Sequence, residues 1–180
     1  MKRTNPQKTI LANDPSIRAW GWAVLDTQGN LIDHGCIKTE PCNKKLKIRK
    51  GDDRTRRIDE IYQKLLEVIE KHNVVYIVTE QPHGSQNSSA AVMIGITLTI
   101  LQSFSSLLKI GVEWYSENDS KRSALGKGSG SKDEMINRMN EVYDVDWAEV
   151  KYVDEAVADA LAIHYIAMKE SAMLKLLKQQ

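Results

Sequence analysis

The sequence predicts an α/β fold in which a mixed sheet of about five strands is flanked by helices, and three observations carry that prediction. The first is a series of three short apolar stretches near the start of the chain, two of them separated by the turn residues of "DTQGN". The second is an amphipathic helical pattern that runs straight into a compact valine- and isoleucine-rich stretch, "VVYIVTEQ". The third is the alternation that follows, an apolar helix, a strand and two more helices, which is the order of a layered α/β domain.

Each element has its own signal. "TILAND" is apolar up to Asn13 and Asp14, and "AWGWAVLD" and "GNLIDHGCIKT" read as the second and third strands. "RTRRIDEIYQKLLEVIEKHN" sets Ile58, Ile61, Leu65, Val68 and Ile69 on one face at helical spacing, with charge on the other. "VVYIVTEQ" is too uniformly apolar to alternate, as expected of a strand covered on both sides, and it ends at Glu80. "SSAAVMIGITLTILQSFSSLLK" reads as a largely apolar helix and "GVEWYS" as a fifth strand. A Gly/Ser/Lys loop from Ser123 to Ser131 follows, then "KDEMINRMNEVY" and "DEAVADALAIHYIAMKESAMLKLL" as helices.

Composition narrows the function classes. A chain of 180 residues with 42% hydrophobic content is expected to form one domain over residues 1–180 with a substantial core. A formal net charge of +1 argues against a uniformly basic DNA coat protein and leaves room for a local basic patch. The two cysteines, Cys36 and Cys42, give no disulfide framework and no metal-ligand spacing, which fits a reducing, cytoplasmic setting. The basic start "MKRTNPQKTILA" is too short in apolar residues for a signal sequence, and no later stretch is expected to span a membrane. "GKGSGSK" is not a nucleotide P-loop, because Ser131 separates Gly130 from Lys132 where that motif requires Gly-Lys.

The order β-β-β-α-β-α-β-α-α is the ribonuclease-H-like arrangement, in which the first and fourth strands lie side by side and run parallel. Asp14 ends the first and Glu80 the fourth, so both acids are expected in one crevice at the carboxyl edge of the sheet, where open α/β sheets bind ligands. Two carboxylates so close repel and raise a pKa unless a cation offsets them. An all-oxygen site of this kind suits Mg²⁺ or Mn²⁺.

"ILANDPSIRAWGWAV", "TEQP", "SKRSALGKGSGSK" and "ADALAIHY" together make the chain resemble the RuvC family of Holliday-junction resolvases, over nearly its whole length and in the family's order. The resemblance implies metal-dependent cleavage of four-way junction DNA, with two cations per site, by a two-fold symmetric homodimer acting in the cytoplasm, in the host cell if the protein is phage-encoded. It places Asp14, Glu80 and Asp159 among the metal ligands and implies catalytic roles for Lys121 and Lys132, lysines that flank the glycine loop. The family's Asp or His three residues before Asp159 falls on Ala156, which binds no metal. Glu155, four residues before Asp159 and on the same helix face, is the preferred substitute, with Asp154 further round. Acids in a first helical turn also serve as caps and offset the helix dipole, an alternative that stays open for both. Asn13 is a second departure, since the family has an apolar residue there.

For DNA binding, the basic run Lys44, Lys45, Lys47, Arg49, Lys50, Arg54, Arg56 and Arg57 is the expected phosphate contact, together with Lys127 in the glycine loop. His83, at the family's wedge position three residues past Glu80, either stacks on a junction base or is an ordinary loop histidine. His164, among apolar residues of the last helix, reads as a packed core histidine. The apolar helix from Ser88 to Lys109 is the candidate dimer interface, with Val92, Ile96 and Ile100 assignable equally to the core. A catalytically silent DNA-binding module and a structure-tolerant nuclease acting on flaps or other replication intermediates are the rival functions.

Overall fold

The computed structural model describes residues 7–82 and 84–179. Five strands, β1 (Thr9–Asp14), β2 (Ala19–Asp26), β3 (Leu31–Lys38), β4 (Val74–Gln81) and β5 (Gly111–Ser116), form one sheet in the order β3-β2-β1-β4-β5. The first three pair antiparallel, as short connections allow. β4 joins β1 in parallel, and β5 joins β4 in parallel, each after a helical crossover. The mixed sheet and the β1–β4 adjacency expected from the sequence are thus present.

The helices are α1 (Lys50–Lys71), α2 (Ser88–Leu108), α3 (Glu117–Leu125), α4 (Lys132–Tyr143), α5 (Lys151–Glu170) and α6 (Ala172–Leu177). α1 and α2 cover one face of the sheet, burying Ile61, Leu65, Leu101 and Phe104 against Leu11, Trp20 and Ile77. α3, α4 and α5 cover the other, where Leu161, Ile163 and Met139 pack on Ile10, Ala12 and Val78. Because side chains alternate along a strand, Ile10, Ala12 and Asp14 face the α5 layer and Leu11 and Asn13 the α1/α2 layer.

Several boundaries differ from the sequence reading. α1 starts at Lys50 rather than Arg54, because Asp52 and Asp53 occupy the first turn, where acids suit the positive end of the helix dipole. α3 has no counterpart in the sequence reading: it is nine residues long and carries little apolar periodicity, but the Ser116 side chain caps it by accepting from Asp119 N–H. The last helix is interrupted at Ser171, whose side chain accepts from Leu174 N–H and starts α6. α2 also corrects the membrane expectation. At 21 residues and a mean hydropathy of 1.8 it is long and apolar enough to cross a membrane by length and composition alone. Its inner face is nevertheless core, through Thr97, Ile100, Leu101 and Phe104, while Val92 and Leu107 on the outer face are 51% and 69% exposed. The open alternative is thereby divided, with Ile100 in the core and Val92 at the surface.

His164 of α5 is fully buried, as its apolar neighbours suggested. Nδ1 lies 2.8 Å from the Tyr143 hydroxyl, and Nε2 has no hydrogen-bond partner among the described residues. Burial pushes the imidazole pKa down to about 3. The folded protein therefore keeps His164 neutral while the unfolded chain takes up a proton below about pH 6.5, so stability is lost as pH falls through that point toward 3. The expected slope from this one residue is about 1.4 kcal/mol per pH unit. Urea midpoints between pH 4.5 and 7 for wild type and His164→Leu should diverge in slope, and parallel lines would refute this assignment.

Candidate active site

Asp14 and Glu80 stand at the carboxyl ends of adjacent parallel strands, and both point into the α5 layer, as Ala12 and Val78 do two residues earlier. Asp159 comes down from α5 onto the same edge. Burial, then repulsion from Asp159 and Glu80, raises the Asp14 pKa well above the ordinary carboxylate range. Burial, then the charge of Asp159, pushes Glu80 up to about 7. Asp159 is also raised by burial, against the opposing pull of Lys132. Three desolvated carboxylates that sense one another's charge form the centre of the site.

Lysines expected at the site are there. Lys132, the first residue of α4, donates from Nζ to Asp159 Oδ2. Burial opposes its charge, yet the Asp159 carboxylate, with Asp14 and Glu155 beyond it, holds the ammonium pKa above its usual value. Lys121 of α3 lowers the pKa of both Glu80 and Asp159 and is itself ion-paired to Glu117. Glu117 is an acid the sequence reading missed: its charge raises Asp14, Glu80 and Asp159 alike. Register brings it there: β5 runs parallel to β4 and pairs Tyr115 with Glu80, so Glu117, the residue that follows "GVEWYS", lies at the same sheet edge.

Glu155 fares less well as the substitute ligand. It sits 4.0 Å from Lys151 Nζ and acts on Lys132, whereas Glu117 and not Glu155 stands among the main causes of the Asp14, Glu80 and Asp159 shifts. Asp154 is turned away, its Oδ1 accepting from Ala148 N–H at 3.0 Å, so it fastens the segment that leads into α5. Ala156 is buried where α5 rests on β2. A Cβ added at Gly21, the register partner of Asp14, would lie 2.0 Å from the Ala156 carbonyl oxygen. Asn13 is buried in the opposite layer, where its Oδ1 accepts from the Trp20 indole at 3.0 Å.

The all-oxygen donor set of Asp14, Glu80 and Asp159 suits a hard divalent cation, and the Lys132 ammonium drawn onto Asp159 shows that the cluster attracts positive charge. Among the described residues no three such side chains are yet gathered closely enough to hold an ion.

The expected DNA-binding run divides. Arg49 pairs with Asp52, Arg56 with Asp53 and Glu60, and Lys127 with Glu134. Lys44 and Lys45 lie in a short 3-10 turn capped by Asn43, with Lys47 just beyond it. Lys44, Lys45, Lys47, Lys50 and Arg54 make no ion pair among the described residues. Arg57 is a correction. It is 7% exposed and its guanidinium donates to Thr39 Oγ1 at 2.8 Å and to Ile17 O at 3.0 Å, so it pins the turn after Asp14 instead of reaching solvent. Arg57→Ala is expected to lower stability by about 2–4 kcal/mol by leaving those acceptors unpaired, measured by urea unfolding; a loss under about 0.5 kcal/mol, typical of surface changes, would contradict this role. His83 lies outside the described residues.

A five-stranded mixed sheet in ribonuclease-H-like order, with acids at its carboxyl edge, defines the class of fold. Solved structures agree on that fold. A Thermus thermophilus RuvC in complex with a Holliday junction superposes with a TM-score of 0.70 at 19% identity, covering 89% of this chain and 95% of that one. The yeast mitochondrial Holliday junction resolvase Ydc2 gives 0.63 at 14% identity, covering 97% and 83%. Among curated proteins, the crossover junction endodeoxyribonuclease RuvC of Rhodopseudomonas palustris is 29% identical over 168 residues, 93% of this chain and 91% of that protein. That of Parvibaculum lavamentivorans is 29% identical over 155 residues, 86% and 83% of the respective chains. The family model for crossover junction endodeoxyribonuclease RuvC matches residues 10–166, and the chain belongs to the RuvC family.

Proposed function

We propose that the protein is a metal-dependent endonuclease that resolves Holliday junctions by paired nicks. The observation that carries this reading is the placement of Asp14 and Glu80 at the ends of adjacent parallel strands, with Asp159 of α5 over the same edge. Asp14, Glu80 and Asp159 would hold two Mg²⁺ or Mn²⁺ ions, with Glu155 the weakest member of the expected set. When bound, such ions lower the pKa of water and offset charge on the phosphoryl oxygens and the leaving oxygen. The chain's own part is to desolvate the carboxylates, which sharpens their demand for a cation, and to orient them from rigid strand ends. Lys121 and Lys132 supply fixed positive charge beside them, placed to stabilise charge that develops on a transferring phosphoryl group. Lys44, Lys45, Lys47, Lys50 and Arg54 would take phosphates of the junction arms, and the paired Arg49, Arg56 and Lys127 would join them by exchanging partners.

A four-way junction is two-fold symmetric, so a C₂ homodimer sets two such sites on opposing strands. The exposed apolar face of α2, with Val92 and Leu107, is the surface that suits a second copy. That substrate is compatible with the expected cytoplasmic location.

The test is nicking of a labelled immobile four-way junction beside linear duplex, with Mg²⁺, Mn²⁺ or EDTA. Symmetric paired nicks that need metal support the proposal. Tight binding without cutting returns the silent module, and equal cutting of duplex and flap returns the structure-tolerant nuclease.

A further inference from the structure

On the α1/α2 side of the sheet a cleft of roughly 600 Å³ opens one residue after Asp14. Its walls come from three elements: the turn carrying Ile17 and Arg18, the first turns of α1 with Arg54 and Arg57, and the N-terminal half of α2 with Met93 and Ile94. The two kinds of wall differ in chemistry. Ile17, Met93 and Ile94 are half-buried and apolar, while Arg18 and Arg54 stand at the rim with no ion pair among the described residues. The buried Arg57 fixes the geometry, because its guanidinium ties Ile17 O to Thr39 across the floor.

We propose that this cleft binds a single unstacked nucleotide of the bound DNA, its base on Ile17, Met93 and Ile94 and its phosphate on Arg18 and Arg54. The inference rests on the nuclease reading above and goes beyond it. The cavity has the size of a small-ligand pocket, and its mixed lining matches a nucleotide, one planar apolar face and one anion. Two arginines with no ion pair among the described residues matter more here than on an ordinary surface, since the chain's net charge is only +1. A stacked duplex keeps its bases inside and offers this cleft nothing but phosphate. A branch point offers a base already free to turn out, so occupancy of the cleft favours branched over linear DNA, and unstacking sets the difference.

The experiment uses the Asp14→Asn protein, which is not expected to cut, and two fluorescent probes of equal charge: the tetranucleotide dT4 and its abasic counterpart with the same phosphates. Intact dT4 is expected to bind at least about tenfold tighter, the value of one stacked base. Met93→Ala with Ile94→Ala should bring that ratio toward one while leaving the abasic probe's affinity unchanged. Arg54→Ala, on the cleft rim, should weaken both probes together, with the thermal unfolding curve confirming that it folds. Equal affinity of the unaltered cleft for the two probes would overturn the proposal, as would a ratio untouched by the Met93 and Ile94 changes. A four-way junction and a linear duplex are run alongside. A base preference in dT4 without any preference for the junction keeps the pocket and removes the junction reading instead.

Discussion

Asp14→Asn is expected to abolish cleavage and, in the absence of divalent metal, to make the protein more stable. The loss of activity should be on the order of 10³-fold or more, the scale on which removal of a group that acts only in the transition state is felt. The gain in stability follows from the electrostatics of the acid cluster. Asp14 is desolvated and faces Asp159 and Glu80, with Lys132 the nearest offset. A carboxyl whose folded-state pKa is raised destabilises the fold as pH rises from its unfolded pKa through its folded one. For Glu80 that window runs from about 4.5 to about 7, and Asp14 contributes with the same sign. An amide at position 14 removes one charge from the set while keeping its shape. The expected gain is about 1–3 kcal/mol near neutral pH, or several degrees in Tm. Adding Mn²⁺ should then raise the wild-type Tm and erase the variant's advantage, because an ion bound only to the folded state adds stability by mass action. A variant less stable than wild type in EDTA would show that the Asp14 carboxylate is satisfied by the fold without a metal.

Gly21→Ala should cost about 3 kcal/mol or more, a large value for a single methyl group. The new Cβ would fall 2.0 Å from the carbonyl oxygen and 2.3 Å from the carbonyl carbon of Ala156, both backbone atoms in the second turn of α5. No rotamer change relieves such a contact, so α5 must lift from β2. For the same reason Ala156→Gly should fail to rescue it. Asp159 rides on α5 one turn further on, and the displacement should also weaken any cleavage that survives. Thermal unfolding of the single and double variants decides this; a Gly21→Ala midpoint within a degree of wild type would mean that the helix does not seat on β2 as described.

Most of the sheet was legible because β1, β2 and β4 combine dense apolar stretches with turn residues at their ends, and Asp14 and Glu80 were legible because each closes a strand. Other features depended on three-dimensional neighbours. Glu117 carries no motif and becomes part of the site only because β5 pairs with β4 in parallel. Arg57 looked like one of eight cations in a charged run until burial showed that the turn beneath it needed a donor. α3 escaped because its stability comes from a serine cap and from packing on α5 rather than from periodicity. The apolar length of α2 was legible but was judged without the two faces that burial separates.

β1 also bears on how this chain tolerates change. Asn13 and Asp14 are consecutive, yet the first is locked to Trp20 in one layer and the second faces the acid cluster in the other. One peptide bond therefore divides architecture from chemistry. Substitutions at the two positions should be separable, each altering one property and sparing the other. A one-residue insertion or deletion along the strand would instead exchange the two roles at once, placing a charge in the hydrophobic layer or an amide in the acid cluster. The length of β1 is thus held more tightly than the identity of any one of its residues.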